Sequence, residues 1–375
     1  MRTKYKFNYI FYLAYSLFII NSIFIKNIDS SIYKVILVFN IVLFLINAAF
    51  KSYTKNQIMK IIIIGLLLSI ISINTNDDNI IILYIIIISA IGFKVEKIMR
   101  LDLLCRSISV IGTIILSMIN ITNDFLMYRI GENGSIYVRH SLGFEHPNTL
   151  SINIFIILIT YIYIRYDKFK LIDIIVVVSI GYIGNLVTGA RTSMICLVLI
   201  VILMLLDKKI NILKNKCLRN MVIIIVPLCT IISVLLASIY KYDIRIIEQI
   251  NTFLTGRIRS ASYFLQNYGI SILGQKLELV SIVESIVTSQ QQRILDNLYV
   301  KILINYGILA LIFYNWVNVK LMKLFFEKRN KAIIIIMFTV SIYGILESMV
   351  IVPSFSLFLI LTADLLLKNK KVYNL

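Results

Sequence analysis

The feature that most constrains this chain is a succession of apolar runs with few charges. Many approach the ~20 residues that carry a helix across a ~30 Å hydrocarbon core. They fall at 7–25, 32–50, 58–73, 79–93, 103–121, 149–165, 171–188, 193–206, 220–240, 297–316, 332–346 and 349–367. The runs are continuous rather than alternating, which excludes a membrane β-barrel. A soluble chain of this size would carry roughly a quarter charged residues. This one carries 15%, at a mean hydropathy of +0.89. Only Pro147, Pro227 and Pro353 interrupt it. The expected fold is therefore all-α. It is a polytopic integral membrane protein with about 12 transmembrane helices, residues 1–375 forming a single transmembrane domain. The stretch after the basic Met1–Lys6 is too long for a signal peptide and lacks a small-residue cleavage pattern, so it reads as the first span.

Charge sets the orientation. With the N-terminus in the cytoplasm, 26 of the 38 Lys and Arg and 7 of the 19 acidic residues fall inside. The inner face then carries the whole net charge of +19. An even number of spans returns the C-terminal Lys368-Asn369-Lys370-Lys371 to the same side, so both termini are expected in the cytoplasm of a multi-pass protein of the cell (cytoplasmic) membrane. The basic balance is thus a set of membrane anchors, and no nucleic acid is expected as a partner. The four cysteines have no zinc-like spacing and none falls in an outer loop, so no disulfide is expected.

Two outer segments are long: the loop at 122–148 and the large loop at 241–296, between spans nine and ten. Functional residues concentrate on such loops. In the larger one Ile246, Ile247, Ile250, Phe253 and Leu254 recur at helical spacing opposite Arg245, Glu248 and Gln249. That pattern predicts an amphipathic helix on the membrane surface, broken at Gly256, with a second helix from Arg257 to Tyr268. Several chemistries lack their motifs. There is no GxxxxGK[ST] phosphate loop, no Gly-rich dinucleotide fingerprint and no Asp-x-Asp pair for a metal-bound nucleotide sugar. With two histidines in the chain, no metal and no cofactor are expected.

The choice of cation is informative. The inner face has 20 Lys and 6 Arg; the outer face has 5 Lys and 7 Arg, namely Arg129, Arg139, Arg191, Arg245, Arg257, Arg259 and Arg293. Topology needs only positive charge, whereas a planar bidentate donor suits phosphate. Snorkelling or ion pairing is the plainer use of any single one, but the set favours an anion site. Arg191 lies in the short turn Val187-Thr188-Gly189-Ala190-Arg191-Thr192-Ser193 between two apolar runs. Arg257 and Arg259 fall about 200° apart on a helix. Asp296-Asn297-Leu298-Tyr299 opens the tenth run. Asp296 there suits a general base toward a sugar hydroxyl or a helix N-cap, and the two roles are compatible.

Three segments then resemble a known family. Arg139-His140-Ser141-Leu142-Gly143-Phe144-Glu145-His146-Pro147-Asn148 is similar to a Gly-Phe-x-His-Pro-Asn run that precedes a span. Thr188-Gly189-Ala190-Arg191-Thr192 is similar to a short arginine turn, and Thr255-Gly256-Arg257 with Ile272-Leu273-Gly274 to the core of a large outer loop. The family is the Wzy-type polysaccharide polymerases, in the superfamily of the O-antigen ligases. A fourth match departs from the ligases. Asp296-Asn297, nine residues and Gly307-Ile308-Leu309-Ala310 stand where a ligase has His and a final Gly.

The resemblance implies a glycosyltransferase of capsule or O-antigen biosynthesis in the cell envelope. It would join undecaprenyl-diphosphate-linked oligosaccharide repeat units on the outer face of the membrane. It also implies roles. Arg191 and Arg257 would bind the diphosphate, with Arg139 and Arg259 as helpers. Asp296, His146 and His140 are the candidate bases. Asn148, Asn297, Tyr299 and Tyr263 would contact sugars. The partners implied are lipid-linked oligosaccharides, membrane lipids, a chain-length regulator and a flippase. A ligase of finished polymer, or a flippase or other transporter of lipid-linked sugars, are the competing readings. Against the transporter, the chain shows no evident repeated halves and almost no charge near the middle of its spans.

Overall fold

The structure is a computed structural model describing residues 8–130, 136–209, 213, 215–280, 285 and 292–366. The basic ends 1–6 and 368–371, which figured in the charge count, lie outside the described residues. The helices are α1 (Asn8–Ile23), α2 (Ser30–Ala49), α3 (Lys55–Thr75), α4 (Asn79–Ala90) and α5 (Val95–Met118), then α6 (Pro147–Arg165), α7 (Leu171–Thr188) and α8 (Arg191–Lys209). They continue with α9 (Lys216–Ile223), α10 (Ile225–Ile239), α11 (Arg245–Phe253), α12 (Arg257–Tyr268), α13 (Ile308–Glu327) and α14 (Lys331–Leu346). One antiparallel hairpin, β1 (Met127–Ile130) and β2 (Ile136–Arg139), pairs Met127 with Arg139.

Among the described residues, α1, α2, α3, α5, α6, α7, α10 and α13 are long and apolar enough to cross a membrane, while α4 and α14 are apolar but shorter. The chain is an all-α multi-pass membrane protein, with eight such helices where twelve runs were expected.

The differences have local causes. The expected tenth span, 297–316, is a helical turn Leu298–Lys301 and a π-turn Ile302–Tyr306, cut at Gly307, where φ is +91°. Helix α13 starts beyond the cut and runs through Lys320 and Lys323, whose long stems suit helix ends near headgroups. The run 220–240 is divided at Ile224 because Pro227 removes an N–H from the ladder; it is tolerated in the first turn of α10. The described part of the last run, 349–366, forms short 3-10 turns and one α-helical turn, Ala363–Leu366, in place of one long helix. Val352 is held extended before Pro353, as pre-proline sterics require.

The chain divides into two compact units, and the boundary runs through α4. The first comprises Met1–Thr54, Tyr84–Lys209 and Ser354–Leu375. In it α1 packs on α2 and α5, and α5 on α6. The ring of Phe11 stacks on Phe93 at 4.2 Å between centroids. The segment between the expected runs 79–93 and 103–121 is the start of α5, and it helps bring a charge pair into the interior. Arg106 Nε and Nη2 donate to the two oxygens of Asp102 at 2.8 Å. Its Nη1 reaches Asn153 Oδ1 at 2.9 Å, and Nη2 also reaches the Ser354 carbonyl at 2.7 Å. The Tyr15 hydroxyl donates to Asp102 at 2.9 Å. Both charged side chains are fully buried. A charge at membrane depth is costly unless paired, and this one is saturated.

The second unit comprises Lys55–Leu83 and Ile210–Pro353. Its core gathers Ala237 of α10, Ala261 and Phe264 of α12, and Leu295, Val300 and Ile304. Here the Ile272-Leu273-Gly274 and Gly307 motifs find a common reason. The Ile308 N–H donates to the Ser271 carbonyl and the Gln275 N–H to that of Asn305, so two backbones lie side by side. A Cβ on Gly307 would fall 2.5 Å from the Ile272 carbonyl oxygen and 2.6 Å from the Gly274 nitrogen. Gly307→Ala is therefore expected to cost at least ~1–3 kcal/mol from backbone strain alone, with the overlap in addition. A melting midpoint in detergent equal to the parent's would refute this.

Candidate functional site

The sequence-singled residues of the first unit gather at one corner, where α7 ends and α6 and α8 begin. Helix α7 stops at Gly189, which takes a left-handed C-cap with φ +61°. Helix α8 starts two residues later at Arg191. Helices α6 and α8 touch near their starts, the Ser151 hydroxyl donating to Ser193 Oγ at 2.8 Å. Two helix N-termini therefore lie side by side, each presenting the positive end of its dipole and backbone N–H groups lacking a partner within the helix.

Arg139, the last residue of β2, bridges the corner. Its Nε donates to the Thr188 carbonyl at 2.6 Å and its Nη2 to Asn148 Oδ1, in the first turn of α6, at 2.5 Å. Its stem crosses Gly189, where a Cβ would fall 2.9 Å from Arg139 Cγ. Gly189 is thus required both by its φ and by the arginine above it. Arg191 is exposed and makes no ion pair among the described residues. Chemically the corner offers two guanidinium groups and two helix N-termini, a combination that suits phosphate oxygens.

Asn148, expected to touch sugar, spends its side-chain oxygen on Arg139. His146, expected as a base, is the N-cap of α6: its Nδ1 accepts the Asn148 N–H at 2.9 Å. Burial, and then the nearby Arg139, push its pKa down to about 4. An imidazole that weakly basic, with one acceptor nitrogen already committed, is a cap rather than a proton acceptor near neutrality.

His140 is different. Its Nδ1 lies 2.6 Å from Asp124 Oδ2. Asp124 Oδ1 also accepts the N–H groups of Ser141 and Leu142, both at 2.8 Å. Burial works against the Asp124 carboxylate, but the His140 bond and the two backbone donors outweigh it and hold its pKa below the ordinary value. The His140 N–H donates to the Val187 carbonyl at 2.9 Å, which fastens this loop to the α7 end of the corner.

In the second unit, Arg257 and Arg259 open α12 and diverge as their spacing predicts: Arg257 is largely enclosed and Arg259 exposed. Arg257 Nη2 donates to Glu347 Oε1 at 2.5 Å, and its Nε lies 3.9 Å from Asp296 Oδ2. Arg257 is thus already held between Glu347 and Asp296. Burial raises the Asp296 carboxyl above the usual carboxylate range, against the pull of Arg257 and Lys301.

The expected cap on Asp296 belongs to the next residue. Asn297 Oδ1 accepts the Val300 N–H at 3.0 Å, while its Nδ2 donates to Ser233 and to the Ile345 carbonyl. Asn297 is thus a structural hub with its side chain fully engaged. Tyr299, expected to contact sugar, is wholly buried and donates to the Ser341 carbonyl at 2.6 Å. Tyr263 carries the Arg293 guanidinium over its ring at 5.6 Å, so that face is covered. The side chain of Arg129 lies outside the described residues.

Asp124 and Glu347 were not singled out beforehand, since no spacing rule links an acid to a partner 16 residues away in a loop or 90 away in another helix. Comparison with protein-family models, with curated proteins and with solved structures finds no match for this chain.

Proposed function

We propose that this chain is a polysaccharide polymerase that joins undecaprenyl-diphosphate-linked oligosaccharide repeat units by glycosyl transfer at the outer face of the cytoplasmic membrane. The observation that carries the reading is the paired N-termini of α6 and α8, with Arg139 bridging them and Arg191 opening α8. The charge distribution of the sequence supports a reading with this corner, the loop 122–148 and the large loop 241–296 outside and both termini cytoplasmic. Twelve crossings then require α4, α8, α14 and the turns after Ser348 to complete the path of the eight long helices.

In this reading the acceptor hydroxyl attacks the anomeric carbon of the donor glycan and the lipid diphosphate leaves. A diphosphate departs without strong acid assistance, so the site's main task is to stabilise the charge that develops on it. Fixed donors aimed at such charge contribute ~3 kcal/mol each. Arg139 and Arg191 are assigned that task. Arg257, bound by Glu347, is read as part of the scaffold.

Deleting the protein from its cell tests the reading. The expected result is single repeat units on lipid, accessible from outside, and no long polymer. Precursors trapped on the inner leaflet would replace the reading with a flippase. Normal polymer that stays on its lipid would replace it with a ligase.

A further inference from the structure

We infer that His140 is the general base of this site and that Asp124 is the residue that positions it. The inference rests on the polymerase reading and adds to it the group that activates the acceptor. A carboxylate can only accept a hydrogen bond, so the 2.6 Å contact fixes the proton of the neutral imidazole on Nδ1. The lone pair is then on Nε2, which has no hydrogen-bond partner among the described residues. The His140 side chain is 43% exposed, so Nε2 is open to a substrate.

Asp124 is itself immobilised. Its Oδ1 holds two consecutive backbone N–H groups and its Oδ2 holds the imidazole. Asp124 Oδ1 also receives the Ser141 hydroxyl at 3.3 Å. An oriented imidazole backed by a half-buried, hydrogen-bonded carboxylate is an arrangement suited to general-base catalysis.

The other candidates lack it. His146 has spent Nδ1 on the cap of α6. Asp296 has an arginine beside it and no hydrogen-bond donor among the described residues to orient it. The position of His140 also fits the task. It follows Arg139 directly and is bonded to Val187, one residue before the Thr188 carbonyl that holds Arg139. The base and the diphosphate clamp are thus both tied to the C-terminal end of α7.

The step balances. His140 Nε2 takes the proton of the acceptor sugar hydroxyl, and the oxygen forms a bond to the anomeric carbon of the donor. The bond from that carbon to the phosphate oxygen breaks, and the diphosphate leaves with the electron pair and one more negative charge. The imidazolium that results is stabilised by Asp124 and returns its proton to water. No oxidant, reductant or further reactant enters.

The test uses the full-length protein in lipid vesicles, with lipid-linked repeat units extracted from cells lacking it. His140→Ala and His140→Gln are expected to lower turnover roughly 10²–10⁴-fold while their melting midpoints stay near the parent's. Added imidazole should restore turnover to His140→Ala, a response that a structural histidine would not show. Asp124→Asn should lower kcat with KM retained, and Asp124→Glu should recover part of it. Activity of the His140 variants within about threefold of the parent would overturn the assignment, as would a folded His140→Ala variant that imidazole cannot restore. If the unsubstituted protein makes no polymer from these lipids, the polymerase reading itself falls. That outcome is distinct from a failure confined to the variants.

Discussion

Replacing Arg139 by lysine is expected to cut polymer formation roughly 10²-fold at an unchanged protein level, the loss that follows removal of one ~3 kcal/mol donor from a developing anion. Lysine keeps the charge, so a purely topological role would survive the change. What it cannot keep is the fork. Arg139 directs Nε at the Thr188 carbonyl and Nη2 at Asn148, and these two bonds fix where the guanidinium sits between α6 and α8. An ammonium is a point donor on a flexible stem and cannot occupy both positions at once. Gly189→Ala should act in the same direction without touching the charge. It would place a methyl group 2.9 Å from Arg139 Cγ and force a left-handed backbone on alanine. Both effects are read by gel analysis of polymer against immunoblotted protein. Full polymer from the Arg139→Lys variant would remove Arg139 from the anion site.

The largest expected effect on stability lies away from this corner, at the buried pair in α5. Asp102→Leu leaves Arg106 fully enclosed with its counter-charge gone, and breaking a buried pair from one side costs ~3–5 kcal/mol. Four elements would feel it, because the same network ties Tyr15 of α1, Asn153 of α6 and the Ser354 carbonyl to α5. The double substitution Asp102→Leu with Arg106→Met removes both charges and keeps most of the volume, so it should recover most of the loss. The comparison is the melting midpoint of each protein in detergent. A double variant as unstable as the single one would show that the charges are not the cause.

How much of this was legible beforehand differs from element to element. The apolar runs that became α1, α2, α5, α6 and α7 follow directly from length and hydropathy. The breaks do not. Gly307 was visible only as part of a motif, and its helix-cutting role depends on the backbone of Ile272 passing beside it. The pair Asp102 and Arg106 was in plain view at four-residue spacing. The apolar run 103–121 separates the two, leaving Asp102 outside it and Arg106 inside; their compensation becomes evident only once Asn153 and Ser354 are in place.

At the site, Arg191 stands out in the sequence as an arginine in a short turn between two apolar runs, and Arg139 as one of the outer arginines in the loop 122–148; Gly189 is visible only as part of the turn. The side chains of His146, Asn148, Asn297 and Tyr299 are all engaged within the protein. Polar residues at a loop's edge resemble ligands in sequence, yet here they are spent on caps, on Arg139 and on the core. Asp124 and Glu347 could not be ranked without the fold, since each gains its meaning from one long-range partner.

The central claim is that this corner holds the diphosphate of a lipid-linked glycan while a glycosidic bond is made. Its most direct measurement adds the purified protein, in vesicles, to lipid-linked repeat units extracted from cells that lack it. The products are then resolved by size and the released undecaprenyl diphosphate is counted. The account predicts a ladder spaced by one repeat unit, with one diphosphate released for every new linkage. Repeat units left unchanged in length, with no diphosphate released, would contradict it.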